Sequence, residues 1–598
     1  MPLPVNKNLN ITLIKNRRRN PMKQLLLATV IIIGTLLMSK VTLAGSNDTL
    51  IVYANDSRSL DQIINSDTTS SGQQAHSVYK LVSLDTTYIF LGPVSVKSNL
   101  KIIGSLGPDG RPPCIQPGIR SDGSTSWYLF VMNGNKTVGV FKNLYLTGLA
   151  TNNTIDQNNV NGVGALIQVS GDSIKLYVDN VVFEDWPENA ISYSGNWDSF
   201  FITNCKFRNM ISPTQWYSGE ALRNQYNTAI TDTMIMKYNT ILAINAYAAC
   251  PVTASYIRYF EFSHNSVLLT FQNPFWIFNV TNGKVNDNLF YATWVGGITK
   301  DEYIGYWDQL WSLEIGSIID LDTLSVDNAK YLDPGATTKP DWTAEAKRVI
   351  EVRNNDYYQP QAVLNFWKAW DDTAHADSIY TPKFMNDRTT NMFNDKTHWP
   401  YLTQNGNISV DPGFGPSIDQ VLYNNSGNGV GLFQYFVDIR TNSASTGTYG
   451  YKPQSVTGNN WIPQWPLPEL ADMQYSNVSL KTGGTDGKPI GDPGWFTGAY
   501  TGVQMNRNQL PVEFALSNNY PNPFNPSTTV KVSLKTSGLM SLKIYNVLGQ
   551  LVRVVDEGYK SAGTYLYNIN MDNYSSGVYF YTLSQGTNSI TKKMILMK

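Results

Sequence analysis

The sequence predicts an all-β protein, a parallel β-helix with loop insertions followed by a small Ig-like β-sandwich. Three observations predict it. Charged residues make up only 15% of the 598, while Gly, Asn, Ser and Thr abound, as in turn-rich β chains. Between Gly45 and about Gln504, an asparagine flanked by short apolar strands recurs at intervals of a few dozen residues. From about Phe514, short strand-like runs alternate with turn signals.

At the N-terminus, Lys15, Arg17, Arg18, Arg19 and Lys23 precede a 14-residue apolar run from Leu25 to Met38. Thr42-Leu43-Ala44 follows as a small-x-small cleavage site. A signal peptide over 1–44 is expected, since the run is short of the ~18 residues of a membrane span. The arginines lack twin-arginine flanks, so Sec export to the periplasm is the expected route, and Met22 could itself be the start. Cleavage removes seven basic residues and no acid, leaving 38 basic against 46 acidic, a net charge of −8. A nucleic-acid partner is not expected, because phosphate neutralisation needs a basic surface. No transmembrane segment is expected in the mature chain. Cys114, Cys205 and Cys250 have no CxxC spacing, so neither a disulfide framework nor a zinc site is indicated. Cys205 reads as a small core residue, and pairing among the three stays open.

The repeat is carried by Asn143, Asn180, Asn204, Asn239, Asn265 and Asn288, spaced 37, 24, 35, 26 and 23 residues apart. The shorter spacings suit one coil and the longer ones a coil with an inserted loop; propeller blades would recur at ~40. Asparagine tolerates the left-handed conformation of a tight turn. Its amide can also donate to and accept from the same residue one coil away. Tyr88 to Gly104 alternates like first coils. From Tyr291 to Trp399 the pattern loosens into an aromatic-rich insertion, around 291–400, and eight of the 15 tryptophans lie between Trp276 and Trp399. Within it, Asp341 to Val352 reads as a short helix with Ala344, Ala346, Val349 and Ile350 on one side. Thr485 to Pro493 is turn-rich and is expected to close the domain, which spans 45–505 before a linker at 506–513.

The Tyr88–Gly104 stretch and Val410-Asp411-Pro412-Gly413-Phe414 resemble the two ends of pectate-lyase-like proteins. That fold-level resemblance implies a right-handed coil over most of the middle.

In 514–598, strands are expected at Thr528–Leu534, Met540–Tyr545, Gln550–Val555, Thr564–Ile569, Val578–Leu583 and Lys592–Met597. The YPNPFNPST opening at Tyr520, IYNVLGQLV, SAGTY, SSGVYFYTL and KKMILMK resemble the type A C-terminal sorting domain of type IX secretion. The resemblance implies a sorting signal using Tyr520, Pro521, Asn522, Pro523, Gly549, Gly577, Lys592 and Lys593. It also implies the type IX machinery as partner and outer-membrane passage after Sec export, in a Bacteroidota-like bacterium. The expected location is extracellular or the outer cell surface, with the domain removed and the protein released or attached to lipopolysaccharide.

Chemistry has few candidates. Ser218-Gly219-Glu220-Ala221-Leu222-Arg223 resembles a stretch of alginate-lyase and chondroitinase-B-like β-helix enzymes, implying catalysis by Glu220 and Arg223. Lyase chemistry needs a base and a cation, and calcium or an arginine would serve. No obligatory cofactor or metal is expected. In register with Ala165-Leu166-Ile167 and Ala190-Ile191-Ser192, the stretch should turn Leu222 inward and Arg223 outward. Hydrolysis would need two spaced carboxylates; the adjacent Asp371-Asp372 lies off the repeats, in the insertion. His76, His264, His375 and His398 show no metal spacing, although His375 and Asp377 could share an ion. Exposed indoles stack on sugar rings, which makes Trp307, Trp311, Trp367 and Trp370 carbohydrate-binding candidates. The expected function is therefore polysaccharide binding, or an adhesin or coat role. The alternative is a polysaccharide lyase or glycoside hydrolase acting on acidic glycans.

Overall fold

The computed structural model describes residues 48–598 apart from 71–72, 85, 108–109, 153–163, 213–217, 226–228, 250–254, 276, 278, 300–316, 374–378, 381, 424–430, 442–448, 451–471, 497–512, 536–537 and 561–562. The expected signal peptide over 1–44, Trp307, Trp311, His375, Asp377, Cys250 and nearly all of the expected 506–513 linker lie outside the described residues. Strands dominate, and most belong to one 18-stranded sheet. Its pairing is parallel and steps coil by coil. Lys175–Glu184 pairs with Val138–Thr147 behind it, and with Asp198–Thr203 and Lys206–Met210 ahead. Each of these coils lays down two runs of the sheet, joined at a corner. A third strand per coil forms a separate five-stranded sheet, where Asn189–Tyr193 lies between Ala165–Val169 and Glu220–Asn224.

The corner between the two runs explains the asparagine repeat, but splits its two expected roles. Asn143, Asn180 and Asn204 occupy the left-handed region, with φ of 56°, 53° and 56°. In later coils that position passes to Tyr238, His264, Asp287 and Asn354, with φ from 50° to 60°, then to Gly406. The repeating asparagine has moved one residue on, to the inward position that Leu144, Val181 and Cys205 fill in the earlier coils. There Asn239, Asn265, Asn288, Asn355 and Asn407 form a ladder, each amide donating to the next side-chain oxygen at 2.9–3.1 Å. The Cys205 N–H donates to Asn239 and ends the series at 2.9 Å. Asn355 and Asn407 escaped the sequence reading, because 67 and 52 residues separate them from their partners below.

Inward columns fill the coil. Val178, Ile202, Met236, Phe262 and Val285 are in register and almost wholly buried. Phe183 stacks on Phe207 at 4.8 Å in the second run. Burying such side chains stabilises the fold by roughly 1.5–3 kcal/mol each.

Two expectations need correction. The 291–400 stretch is not one insertion: Val349–Arg353 and Asp356–Tyr358 within it continue the two runs. The helix expected over Asp341–Val352 is one turn, Trp342–Glu345, capped by the Asp341 side chain, and Val349 opens a strand. Pairing with Asn282–Asn286 outweighs local helix propensity there.

The all-β expectation also missed helices Gln361–Asp372, Pro416–Tyr423 and Leu432–Arg440. They contribute to a second apolar cluster with Leu242, Leu268 and Leu289, which project from the outer face of the second run. Residues 472–496 lie across the coil corners as a strap. Asn354 Nδ2 donates to Gly483 O at 3.0 Å, Thr485 binds Asp287, and Asp492 accepts from Thr240 at 2.8 Å. Trp495 Nε1 also donates to Thr240, at 2.5 Å.

At the C-terminus all six expected strands form, within sheets of three and four antiparallel strands sharing one apolar cluster. Gly549 takes a φ of 77° in the hairpin turn after Asn546, a conformation that favours glycine.

Candidate functional site

Glu220 and Arg223 do come together. Arg223 Nη1 donates to Glu220 Oε1 and Oε2 at 2.9 and 3.1 Å. Ile191 pairs with Leu222 and Ser192 with Arg223, and Leu222 is buried while Arg223 is partly exposed, as expected; Ala165-Leu166-Ile167, however, lies one residue from its expected register, against Asn189-Ala190-Ile191. The carboxylate, however, is 1% exposed and burial raises its pKa, while Arg223 is 27% exposed. The neighbours in register, Gln168 and Ser192, are uncharged and bond each other at 2.5 Å. A pair whose charges satisfy each other beside amide and hydroxyl groups presents no base to a uronate.

Trp367 and Trp370 offer no indole face to a sugar. Both are buried on the Gln361–Asp372 helix, and Trp367 Nε1 donates to Val295 O at 2.9 Å. Three-residue spacing places them on the helix face that packs into the second apolar cluster. Asp371 accepts from the Ile379 amide at 2.8 Å and Asp372 pairs with exposed Lys368, so neither acts with a second carboxylate. His76 is held by Asp67 at 2.9 Å. His264 sits under the strap, its Nδ1 3.1 Å from Pro489 O. Among the described residues no group of three or more His, Cys, Asp or Glu could hold a metal ion.

A different constellation stands where the third-sheet strands give way to the first run. Trp197 precedes the Asp198–Thr203 strand, with a φ of 62° and its side chain 42% exposed. Its ring meets Tyr331 edge-on at 5.9 Å, and Tyr331, equally exposed, stacks on Tyr256 at 4.1 Å. Tyr256 is buried, and burial raises its hydroxyl pKa. Tyr331 arrives from the insertion, on the turn that ends Val326–Ala329.

A register shift between Asp198 and Ser199 lets the neighbouring strand bulge beside this ledge. Bulges re-aim side chains. Asp232 there accepts from Arg258 Nε at 2.7 Å and Nη2 at 2.6 Å. Its other oxygen takes the Ser199 and Thr233 hydroxyls at 3.1 and 3.2 Å. Two exposed rings thus stand beside a charge-compensated polar network. The sequence signal was Trp197 within Ser194-Gly195-Asn196-Trp197-Asp198, an aromatic residue in a tight turn, where a core role is disfavoured.

Beneath the ledge, Asp198 is fully buried. Oδ1 accepts from the Ile174 amide at 2.8 Å, while Oδ2 has no hydrogen-bond partner among the described residues. Burial pushes its pKa up to about 8, with Asp172 adding to the rise. The folded state therefore keeps a proton that the unfolded chain releases near pH ~4. This contribution is fully present below the unfolded pKa and is lost as pH rises towards about 8. Asp198→Asn should raise stability by about 1–3 kcal/mol at pH 7, with little gain at pH ~4. Thermal midpoints at both pH values check this.

The comparisons define one part of the chain. Residues 518–597 match the family model described as secretion system C-terminal sorting domain. This region is a type IX secretion C-terminal sorting domain, which points to a secreted or cell-surface protein. No curated protein and no solved structure matches the chain. Among the described residues no helix is long and apolar enough to cross a membrane.

Proposed function

We propose that this is an exported polysaccharide-binding protein, a right-handed parallel β-helix delivered by an Ig-like sorting domain and serving at the cell surface or in the medium. The carrying observation is the ledge of Trp197 and Tyr331, two exposed rings buttressed by Tyr256. Aromatic faces stack on the C–H faces of sugar rings while neighbouring polar groups orient hydroxyls. Arg258 and Asp232 suit hydroxyls, and their mutual neutralisation favours an uncharged glycan over a polyanion. The domain boundaries proposed are 45–505 and 514–598.

The test is affinity electrophoresis of the exported protein through hydroxyethylcellulose, xylan, galactomannan, polygalacturonate and alginate. Retardation by a neutral polymer is expected, and Trp197→Ala should weaken it about tenfold. Absence of retardation in all five gels would overturn the reading and leave an adhesin or coat role. The lyase alternative predicts ultraviolet-absorbing unsaturated product from the two uronates, abolished by Arg223→Ala. The self-satisfied Glu220–Arg223 pair makes product formation unexpected.

A further inference from the structure

We infer that the ledge is one station of an aromatic track running parallel to the coil axis, with a second station at Trp342, His398 and Tyr401, and that its ligand is an extended uncharged polysaccharide chain rather than a short oligosaccharide. This inference rests on the polysaccharide reading above and adds the ligand's length and direction.

The stations share an edge of the coil stack. Trp197 immediately precedes the first-run strand Asp198–Thr203, and Tyr256 opens the first-run strand Tyr256–Ser263. Tyr401 immediately precedes the first-run strand Leu402–Asn405, and its carbonyl accepts from the Ile350 amide. Trp342 lies in the one-turn helix leading into Val349–Arg353. Five strand-to-strand steps separate the Trp197 strand from the Tyr401 strand. At roughly 4.8 Å per step that is about 24 Å, enough for several sugar rings in line.

The second station is built like the first. Trp342 is 44% and Tyr401 56% exposed. Trp342 packs on His398 at 3.9 Å and edge-on against Trp399 at 5.3 Å, so one indole side is braced. His398 Nδ1 is held by Asp395 at 2.5 Å, which leaves Nε2 as the polar edge. Trp399 is anchored by its Nε1 donating to buried Glu345 at 2.6 Å. At both stations exposed rings are braced by buried aromatic residues and rimmed by an internally paired charge. Separate rings among polar groups suit a polymer with repeating faces better than a protein partner, which would bury one contiguous apolar patch.

Two stations on one chain give avidity without new contacts. The experiment measures affinity of wild type, Trp197→Ala, Trp342→Ala, Tyr401→Ala and the Trp197→Ala/Trp342→Ala double variant. Probes are the neutral polymers that retard the wild type, and disaccharides of the same linkage. Circular dichroism and thermal midpoints establish that each variant is folded; Tyr401→Ala, at the most exposed ring, is the second reading should Trp342→Ala not fold. The expected result is about tenfold or greater loss of polymer affinity for each single variant and far larger loss for the double. Disaccharide affinity should show no such synergy. Wild-type polymer affinity in both Trp342→Ala and Tyr401→Ala would overturn the track while leaving the Trp197 ledge intact. No retention of the wild type by any polymer would overturn the polysaccharide reading and the track together.

Discussion

Arg348→Met is expected to destabilise the protein by about 3–5 kcal/mol, because it leaves a buried carboxylate unpaired. Arg348 and Glu345 are both 0% exposed. The guanidinium reaches Glu345 Oε2 at 3.1 Å, Asp322 O at 2.7 Å and Val280 O at 2.9 Å. It thereby ties one coil to the segment that carries the Trp342 station. Glu345 also accepts from the Leu324 amide and from Trp399, so its oxygens cannot simply turn to water. Arg348→Lys should lose an intermediate amount, since one ammonium head cannot span the same three acceptors. A urea titration reads both, as a lower midpoint at unchanged slope.

The second large effect concerns the interior ladder. Asn265→Ala should cost about 2–5 kcal/mol, because it orphans the Asn239 N–H and the Met236 carbonyl, at ~1–3 kcal/mol each. Asn265→Asp keeps the acceptor for Asn239 but sets a charge against the Met236 carbonyl and the Asn288 side-chain oxygen. It should be at least as destabilising above pH ~5 and milder in acid, where the carboxyl can donate. Equal urea midpoints for wild type and Asn265→Ala would show that the ladder contributes nothing net. Earlier coils fill the same column with Leu144, Val181 and Cys205, so the position accepts apolar side chains where whole neighbours match.

Periodicity made the coil legible. Asparagine at 23–26 residue intervals, flanked by apolar residues, reports a local corner that every coil must turn. It could not tell the left-handed asparagine from the ladder asparagine, which are adjacent and switch identity between Asn204 and Asn239. The helices over the second run had a visible signal, Ile418, Val421 and Leu422, then Leu432, Tyr435 and Phe436, at three- and four-residue spacing.

The candidate site divides the same way. Glu220 with Arg223 could be read from the sequence because they are three residues apart on one strand. Trp197, Asp232, Arg258 and Tyr331 could not, because their meeting depends on how separate coils and an insertion stack. Tryptophan density drew attention to 291–400, yet burial against Val295 removed Trp367, and tertiary packing exposed Trp197 and Trp342 instead.

By itself the sequence determined the sorting domain, the strand-rich composition and the coil repeat, because each is written in contiguous residues whose local geometry needs no distant partner. Only the tertiary structure decided which asparagines form the interior ladder, which aromatics face solvent and which charges cancel, since those depend on groups brought together from coils tens to hundreds of residues apart.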